Sequence, residues 1–192
     1  MRREVYSMAT VGCRNLHAVK MTNEKTEEYD STSKSFPIVK SIDINPNTYE
    51  DKNAYNDIIG EVVSGISSLE VAINTKDLTP EDIAYFFGAE KDSNGVYVYN
   101  SNHKPITCAL MFESLLSDQE HSRYTCIYKC KPQLPKESYK SKVENGVEFQ
   151  DKQIVFTCTP LKNGDYKAQV DSTDDTAKTA ISKWYTAPYK TT

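Results

Sequence analysis

Glycine, histidine and long apolar runs are all scarce in this sequence, and each shortage excludes a class of function. The seven glycines stand at positions 12, 60, 65, 88, 95, 146 and 164, no two closer than five residues apart. That spacing rules out a dinucleotide fingerprint and leaves no Walker-type phosphate loop. The three histidines, His17, His103 and His121, are scattered through polar sequence and read as solvated surface, not as ligands or catalytic bases. No Gly-x-Ser-x-Gly elbow is present. No apolar run approaches the ~18 residues that a membrane span needs. No apolar segment follows Arg2 and Arg3, so no secretory signal is expected. The net charge of −4 argues against a protein built to grip nucleic acid.

Cysteine is present but unpatterned. Cys13, Cys108, Cys126, Cys130 and Cys158 form an odd, scattered set and read as free thiols in a reducing compartment. Cys126 and Cys130 look like a metal pair. On a strand, however, their Cα atoms stand about 13 Å apart, too far for a mutual disulfide or one zinc tetrahedron. Small buried hydrophobes are the better reading. Glu81-Asp82 and Asp174-Asp175 suit helix N-termini better than a glycosidase carboxylate pair. Tyr97, Tyr99, Tyr124 and Tyr128 lack the basic surroundings of a base-stacking platform, so strand packing is preferred. No catalytic, metal-binding or cofactor-binding residue is assigned.

What is present points to β structure. The chain has 192 residues, 38% of them hydrophobic, and 13 tyrosines, enough for one domain with a sizeable core. Asn94-Gly95, Asn145-Gly146 and Asn163-Gly164 each sit between strand-like runs, and Asn-Gly suits the two positive-φ positions of a type I′ hairpin. The flanking runs alternate as half-buried strands do. Leu69, Val71 and Ile73 form one apolar face, and Ile106, Cys108, Leu110 and Phe112 another. Tyr124, Cys126, Tyr128 and Cys130 share a face, with Ile127 as an exception. Ile154, Phe156 and Cys158 follow, then Tyr166, Ala168 and Val170.

Two helices interrupt the strands. Thr79 is a good N-cap for Thr79–Ala89, with Pro80 at the first helical position and Asp82 placed for a capping box. Ile83, Phe86 and Phe87 make its buried stripe, and Gly88 ends it. A second helix, about Asp174–Tyr185, carries Ala177, Ala180, Ile181 and Trp184 at helical spacing. The expected core is therefore Leu69, Val71, Ile73, Phe86, Phe87, Leu110, Phe112, Phe156, Ile181 and Trp184. Asp43 to Gly60 is polar, with Asn45-Pro46-Asn47 and few apolar anchors. It reads as a long loop, about residues 46–65, between strands near 36–44 and 67–75. Residues 1–7 read as a flexible leader, 8–186 as one domain, and 187–192 as a C-terminal tail.

Met8-Ala9-Thr10-Val11-Gly12-Cys13-Arg14-Asn15-Leu16-His17-Ala18-Val19-Lys20 resembles the start of the phi13-type major tail proteins of long-tailed bacteriophages. The resemblance continues through Ile44-Asn45-Pro46-Asn47-Thr48-Tyr49-Glu50-Asp51-Lys52. It is clearest from Phe112-Glu113-Ser114-Leu115-Leu116-Ser117-Asp118 into Tyr124-Thr125-Cys126-Ile127-Tyr128-Lys129. Val147-Glu148-Phe149-Gln150, Asn163-Gly164-Asp165-Tyr166-Lys167 and the Trp184-bearing helix complete it. It implies a mainly β, antiparallel sandwich or distorted barrel flanked by one or two helices. It further implies a structural virion protein of the tail, made in the host cytoplasm, whose hexameric rings stack into the tail tube. Viral DNA would pass through unbound, and tape measure, tail terminator and distal tail proteins would be the other partners. The resemblance makes the long loop an inter-ring contact, with Pro46, Asn47, Tyr49, Glu50, Asp51, Lys52, Asn53 and Tyr55 as its candidates. The competing readings are a tube protein of a contractile injection or secretion system, and a monomeric β-barrel module that binds a ligand or carbohydrate.

Overall fold

The computed structural model describes residues 8–36, 39–55, 58–137 and 151–190, and of residues 51–55 and 58–63 only the backbone. Asn145-Gly146, Val147–Gln150, residues 1–7 and residues 191–192 lie outside the described residues.

The described residues form ten strands: β1 (Thr10–Asn23), β2 (Glu28–Phe36), β3 (Val39–Tyr55), β4 (Ile58–Thr75), β5 (Glu90–Lys91), β6 (Tyr97–Val98), β7 (Cys108–Leu116), β8 (Ser122–Pro132), β9 (Lys152–Cys158) and β10 (Lys167–Asp171). Every pairing is antiparallel, along the path β2-β1-β7-β8-β9-β4-β3, with β10 on β8 and β5-β6 apart. β8 turns the corner of this path. Residues 123–127 pair with β10, whereas Cys130, Lys131 and Pro132 pair with β9. The turn is a β-bulge. Lys129 has φ of 47°, and Cys108 opposes Cys130 while Leu110 opposes Ile127, so β8 carries one extra residue.

The corner folds the sheet into two layers around a core. Leu16, Ala18 and Phe36 from one end of the path meet Leu69, Val71, Ile73, Ile154 and Phe156 from the other. Helix α1 (Pro80–Phe87) closes this core with Phe86 and Phe87. Phe86 stacks on Phe36, ring centroids 5.0 Å apart, and meets Phe156 edge-on at 5.2 Å. The helix is fixed at both ends. Thr79 and Asp82 form the reciprocal capping box, and Gly88 closes the C-terminus at φ of 67°.

A second core lies on the opposite face of β1, β7, β8 and β10. Val19, Ala109, Met111, Cys126, Tyr128 and Trp184 form it, with Tyr124, Val170 and Tyr185 against them. Its cover is the C-terminal segment, a 3-10 turn at Asp175–Ala177 running into α2 (Lys178–Ser182). This helix is shorter than the expected Asp174–Tyr185. Asp174 caps the 3-10 turn, accepting from the Thr176 N–H, whereas α2 starts from Ala177 without a side-chain cap; Trp184 stands past its end and Ile181 is only half-buried. Residues 187–190 continue the cover. Pro188 is buried, Tyr189 stacks on Trp184, and its carbonyl accepts from the Tyr128 hydroxyl.

The turns differ from the expected type I′. Only the glycines of Asn94-Gly95 and Asn163-Gly164 have positive φ, 85° and 91°. Side chains take over the bonding: the Asp92 carboxylate accepts from the Asn94 and Val96 N–H groups, and the Asn163 side chain from the Asp165 N–H. Asn163-Gly164 also joins β9 to β10, which do not pair with each other.

The bulge corrects the reading of the cysteines. Cys126 and Tyr128 enter the second core, while Ile127 and Cys130 enter the first. Cys130 thereby comes opposite Cys158 on β9, Cα atoms 3.9 Å apart, and the two form a disulfide. Only Cys13, Cys108 and Cys126 are free thiols. The expectation of five thiols considered spacing along one strand, whereas the partner arrives across two.

Candidate functional site

The stretch read as a loop is a hairpin of two long strands. β3 and β4 pair from Val39↔Thr75 to Tyr55↔Ile58, so Pro46, Asn47, Tyr49, Glu50, Asp51, Lys52, Asn53 and Tyr55 are all strand positions. Proline is tolerated because β3 is an edge strand, where one backbone N–H can be missing. The two halves of the hairpin differ. Leu69–Thr75 of β4 pairs with β9 as well as with β3; Ile58–Ser68 has β3 as its only strand partner among the described residues. Ile66 still packs against the first core, and at ~3.3 Å per residue the distal arm runs on for roughly 25 Å past it. Pro46, Asn47, Thr48, Tyr49 and Glu50 are exposed on it. At its base Asn47 donates to the Ser68 hydroxyl at 3.1 Å, and the Tyr49 ring lies over Gly65, where a Cβ would stand 2.7 Å from the ring hydroxyl.

A second surface lies next to the arm. The layer β3-β4-β9 buries one face in the first core, and no helix or strand of the described residues covers the other. Register places Ser41, Asn74 and Gln153 in one row of that outer face, Asp43, Ala72 and Val155 in the next, and Asn45, Glu70 and Thr157 in a third. The side chains bond along the rows. Gln153 donates to Asn74 at 2.9 Å, Asn74 to Ser41 at 2.9 Å, and Gln133 to Thr157 at 3.0 Å. Satisfied amides and hydroxyls offer few groups to a passing ligand, and Asp43 and Glu70 add negative charge. Lys131 extends the third row, while Lys129 turns away to Glu27, Nζ to Oε1 3.4 Å.

The chemistry elsewhere is that of packing. Glu113, only 4% exposed, accepts from Arg14 Nε at 2.6 Å and Asn15 Nδ2 at 2.7 Å, which ties the start of β1 to β7. His17 is not solvated surface as expected. Its ring packs 4.4 Å from Tyr185, Nδ1 lies 3.0 Å from the Ser33 hydroxyl, and burial lowers its pKa. Tyr124 and Tyr128 pack in the second core, and the Tyr99 hydroxyl donates to the Pro80 carbonyl. No group of three or more His, Cys, Asp or Glu side chains among the described residues could hold a metal. No helix of the described residues is long and apolar enough to cross a membrane.

The family model for the phage tail tube protein matches residues 44–190. The chain belongs to the phage tail tube protein family. It is therefore a structural protein of the phage tail, and the match spans the distal arm and β7 to β10, whereas β1, β2, Ser41 and Asp43 precede it. No curated protein matches the sequence. Among solved structures, this tail tube protein is similar to the tube-terminating cap of the anti-feeding prophage, with 10% identity, TM-score 0.45, and coverage of 88% of this chain and 95% of that one. It is also similar to a chain of the sheath-tube complex of the extracellular contractile injection system PVC, with 9% identity, TM-score 0.42, and coverage of 87% and 93%.

Of the residues expected in the core of the tail tube protein, Leu69, Val71, Ile73, Phe86, Phe87, Leu110, Phe112, Phe156 and Trp184 are buried. They divide between two cores, Trp184 alone entering the second. The reading from sequence missed β1, β2, the second core and the disulfide. Short-period bulges hide β1: its pairing with β7 shifts between Val11 and Arg14 and again before His17, and Gly12 and Asn15 have positive φ.

Proposed function

We propose that this tail tube protein forms closed homomeric rings of six subunits, which stack into the conduit for genome ejection, and that it catalyses no reaction. The observation that carries the reading is the half-built hairpin. A two-stranded ribbon extending beyond its own core is marginal in water and presents open edges, so a second copy of the chain is its natural cover. The arm's Pro46–Tyr55 side would contact the next ring. The bare face of β3-β4-β9 would line the lumen, because the C-terminal segment covers the outer side of the other layer. On this face Asp43 and Glu70 outnumber Lys131, so a lumen of paired amides with a negative excess repels phosphates, whereas a basic one would hold DNA by counterion release. Subunits made in the host cytoplasm would join tape measure, tail terminator and distal tail proteins in the virion.

Cryo-electron microscopy of the tail tests the arrangement. The expected map shows this chain as the repeating tube subunit, with the arm on the adjacent ring and Asp43 and Glu70 lining the channel. Its presence in the capsid or tail tip would overturn the reading. Asp43→Lys with Glu70→Lys should leave tubes intact and slow DNA ejection; unchanged ejection at low salt, where charges are least screened, would remove these acids from the lumen.

A further inference from the structure

Three buried sulfurs lie in a row across three neighbouring strands. Cys108 on β7 is the register partner of Cys130 on β8, and Cys130 is the register partner of Cys158 on β9. All three belong to the first core, and none is more than 1% exposed. The middle one follows Lys129 directly, at the bulge where β8 leaves β10 for β9. Cys130 is bonded to Cys158, while the Cys108 thiol lies against the Cys130 carbonyl at 3.5 Å. The bond therefore crosses the one seam that holds the two layers together through β8.

We propose that the Cys130–Cys158 bond is a redox-sensitive clip at this corner, open in the newly made subunit and closed once the protein meets oxidising surroundings. The oxidant is a small-molecule disulfide such as glutathione disulfide. One cysteine, as thiolate, attacks it, forming a mixed disulfide and releasing one reduced thiol. The second cysteine gives up its proton and displaces the other half, which leaves as a second reduced thiol. Two electrons pass from the cysteine pair to the oxidant. Because both sulfurs are buried, the reaction requires a transient opening of the β8–β9 seam, and the closed bond is then shielded from reductants. Cys108 stays a thiol because opening the β8–β9 seam leaves β7 paired to β8, so it remains buried, and that burial holds its pKa up. The bond spans a sequence separation of 28 residues, so it restricts the unfolded chain and raises stability. The inference is independent of the ring and lumen assignments.

The test uses the purified full-length subunit, incubated with reductant or with glutathione disulfide, then alkylated in denaturant and mapped by mass spectrometry. The oxidised sample should show Cys130 linked to Cys158 and alkylation at Cys13, Cys108 and Cys126; the reduced sample should be alkylated at all five. Oxidation should raise Tm by roughly 6–12 °C. Cys158→Ala should abolish this dependence. Should that variant fail to fold, the two states of the wild-type chain decide alone. Five alkylated cysteines after oxidation, a bond between other cysteines, or a linked pair with unchanged Tm would each overturn the proposal.

Discussion

β3 and β4 run from the sandwich into the arm, yet their two halves obey different physics. From Leu69 to Thr75, β4 has a neighbour on each side and a core beneath it, and its apolar residues alternate. From Ile58 to Ser68 the same strand has β3 as its one strand partner among the described residues. Cross-strand bonding can continue without burial, but alternation records burial, so it ends where the core ends. The sandwich should therefore govern whether the subunit folds, and the arm whether subunits associate.

Shortening the arm is the strongest way to break that comparison. Replacing residues 49–65 by a two-residue Asn-Gly turn should abolish tubes in electron micrographs while leaving the Tm of the soluble subunit within a few degrees of wild type. A collapse of Tm would show that the arm belongs to the folding unit.

Core truncation should do the reverse. Phe86 is 2% exposed and touches Phe36, Tyr85 and Phe156, so Phe86→Ala should cost about 3–5 kcal/mol in denaturant unfolding. Trp184→Ala tests the second core in the same way. It should cost about 3 kcal/mol, at the low end of that range, because the buried indole N–H has no hydrogen-bond partner among the described residues. Trp184→Phe should then recover most of the loss. Equal costs for Ala and Phe would mean that the ring contributes little to packing.

The same contrast explains what was legible in the sequence. α1 was legible because its signals are local: Thr79, Pro80, Asp82 and Gly88 each satisfy a backbone requirement within one turn. The strands around Leu69, Leu110 and Phe156 were legible because a single buried face imposes a period of two. The arm was not, since Asp43 to Gly60 is polar and its few apolar residues mark no face. Nor was the disulfide, since it depends on a bulge at Lys129 and on register between strands 28 residues apart in sequence. The inter-ring residues were drawn from resemblance, and the sequence offered no physical mark by which to separate them from an ordinary polar loop.

A charged pair on the sandwich offers a smaller effect. Arg123 grips Asp171 with two bonds, 2.7 and 2.8 Å, joining β8 to β10 and holding the Asp171 carboxyl below the usual range. A depressed folded-state value adds stability above the unfolded value, near pH ~4, and that stability disappears as pH falls through the folded value. Both side chains are about one-third exposed, so the contribution at pH 7 should stay under about 1 kcal/mol. Asp171→Asn should lower Tm slightly at neutral pH and make little difference once the carboxylate is protonated. A constant gap down to strongly acidic pH would mean that the amide disturbs packing rather than charge.

The smallest expected change in folding stability comes from Gly65→Ala, at the base of the arm. The added Cβ would stand 2.7–2.8 Å from the outer atoms of the Tyr49 ring, which must therefore move. Tyr49 is 48% exposed, so its ring can swing into solvent without disturbing either core. The folding cost should stay within about 0.5 kcal/mol, the usual range for surface substitutions. Association has more to lose, because the ring covers the backbone where β3 and β4 leave the sandwich. The critical concentration for tube formation should rise while the unfolding midpoint of the subunit stays fixed. Tyr49→Ala, which removes the ring but leaves the glycine, should raise it similarly. A shift in the midpoint with no change in assembly would assign Gly65 and Tyr49 to the sandwich, and the boundary between the two regions would then move outward along the hairpin.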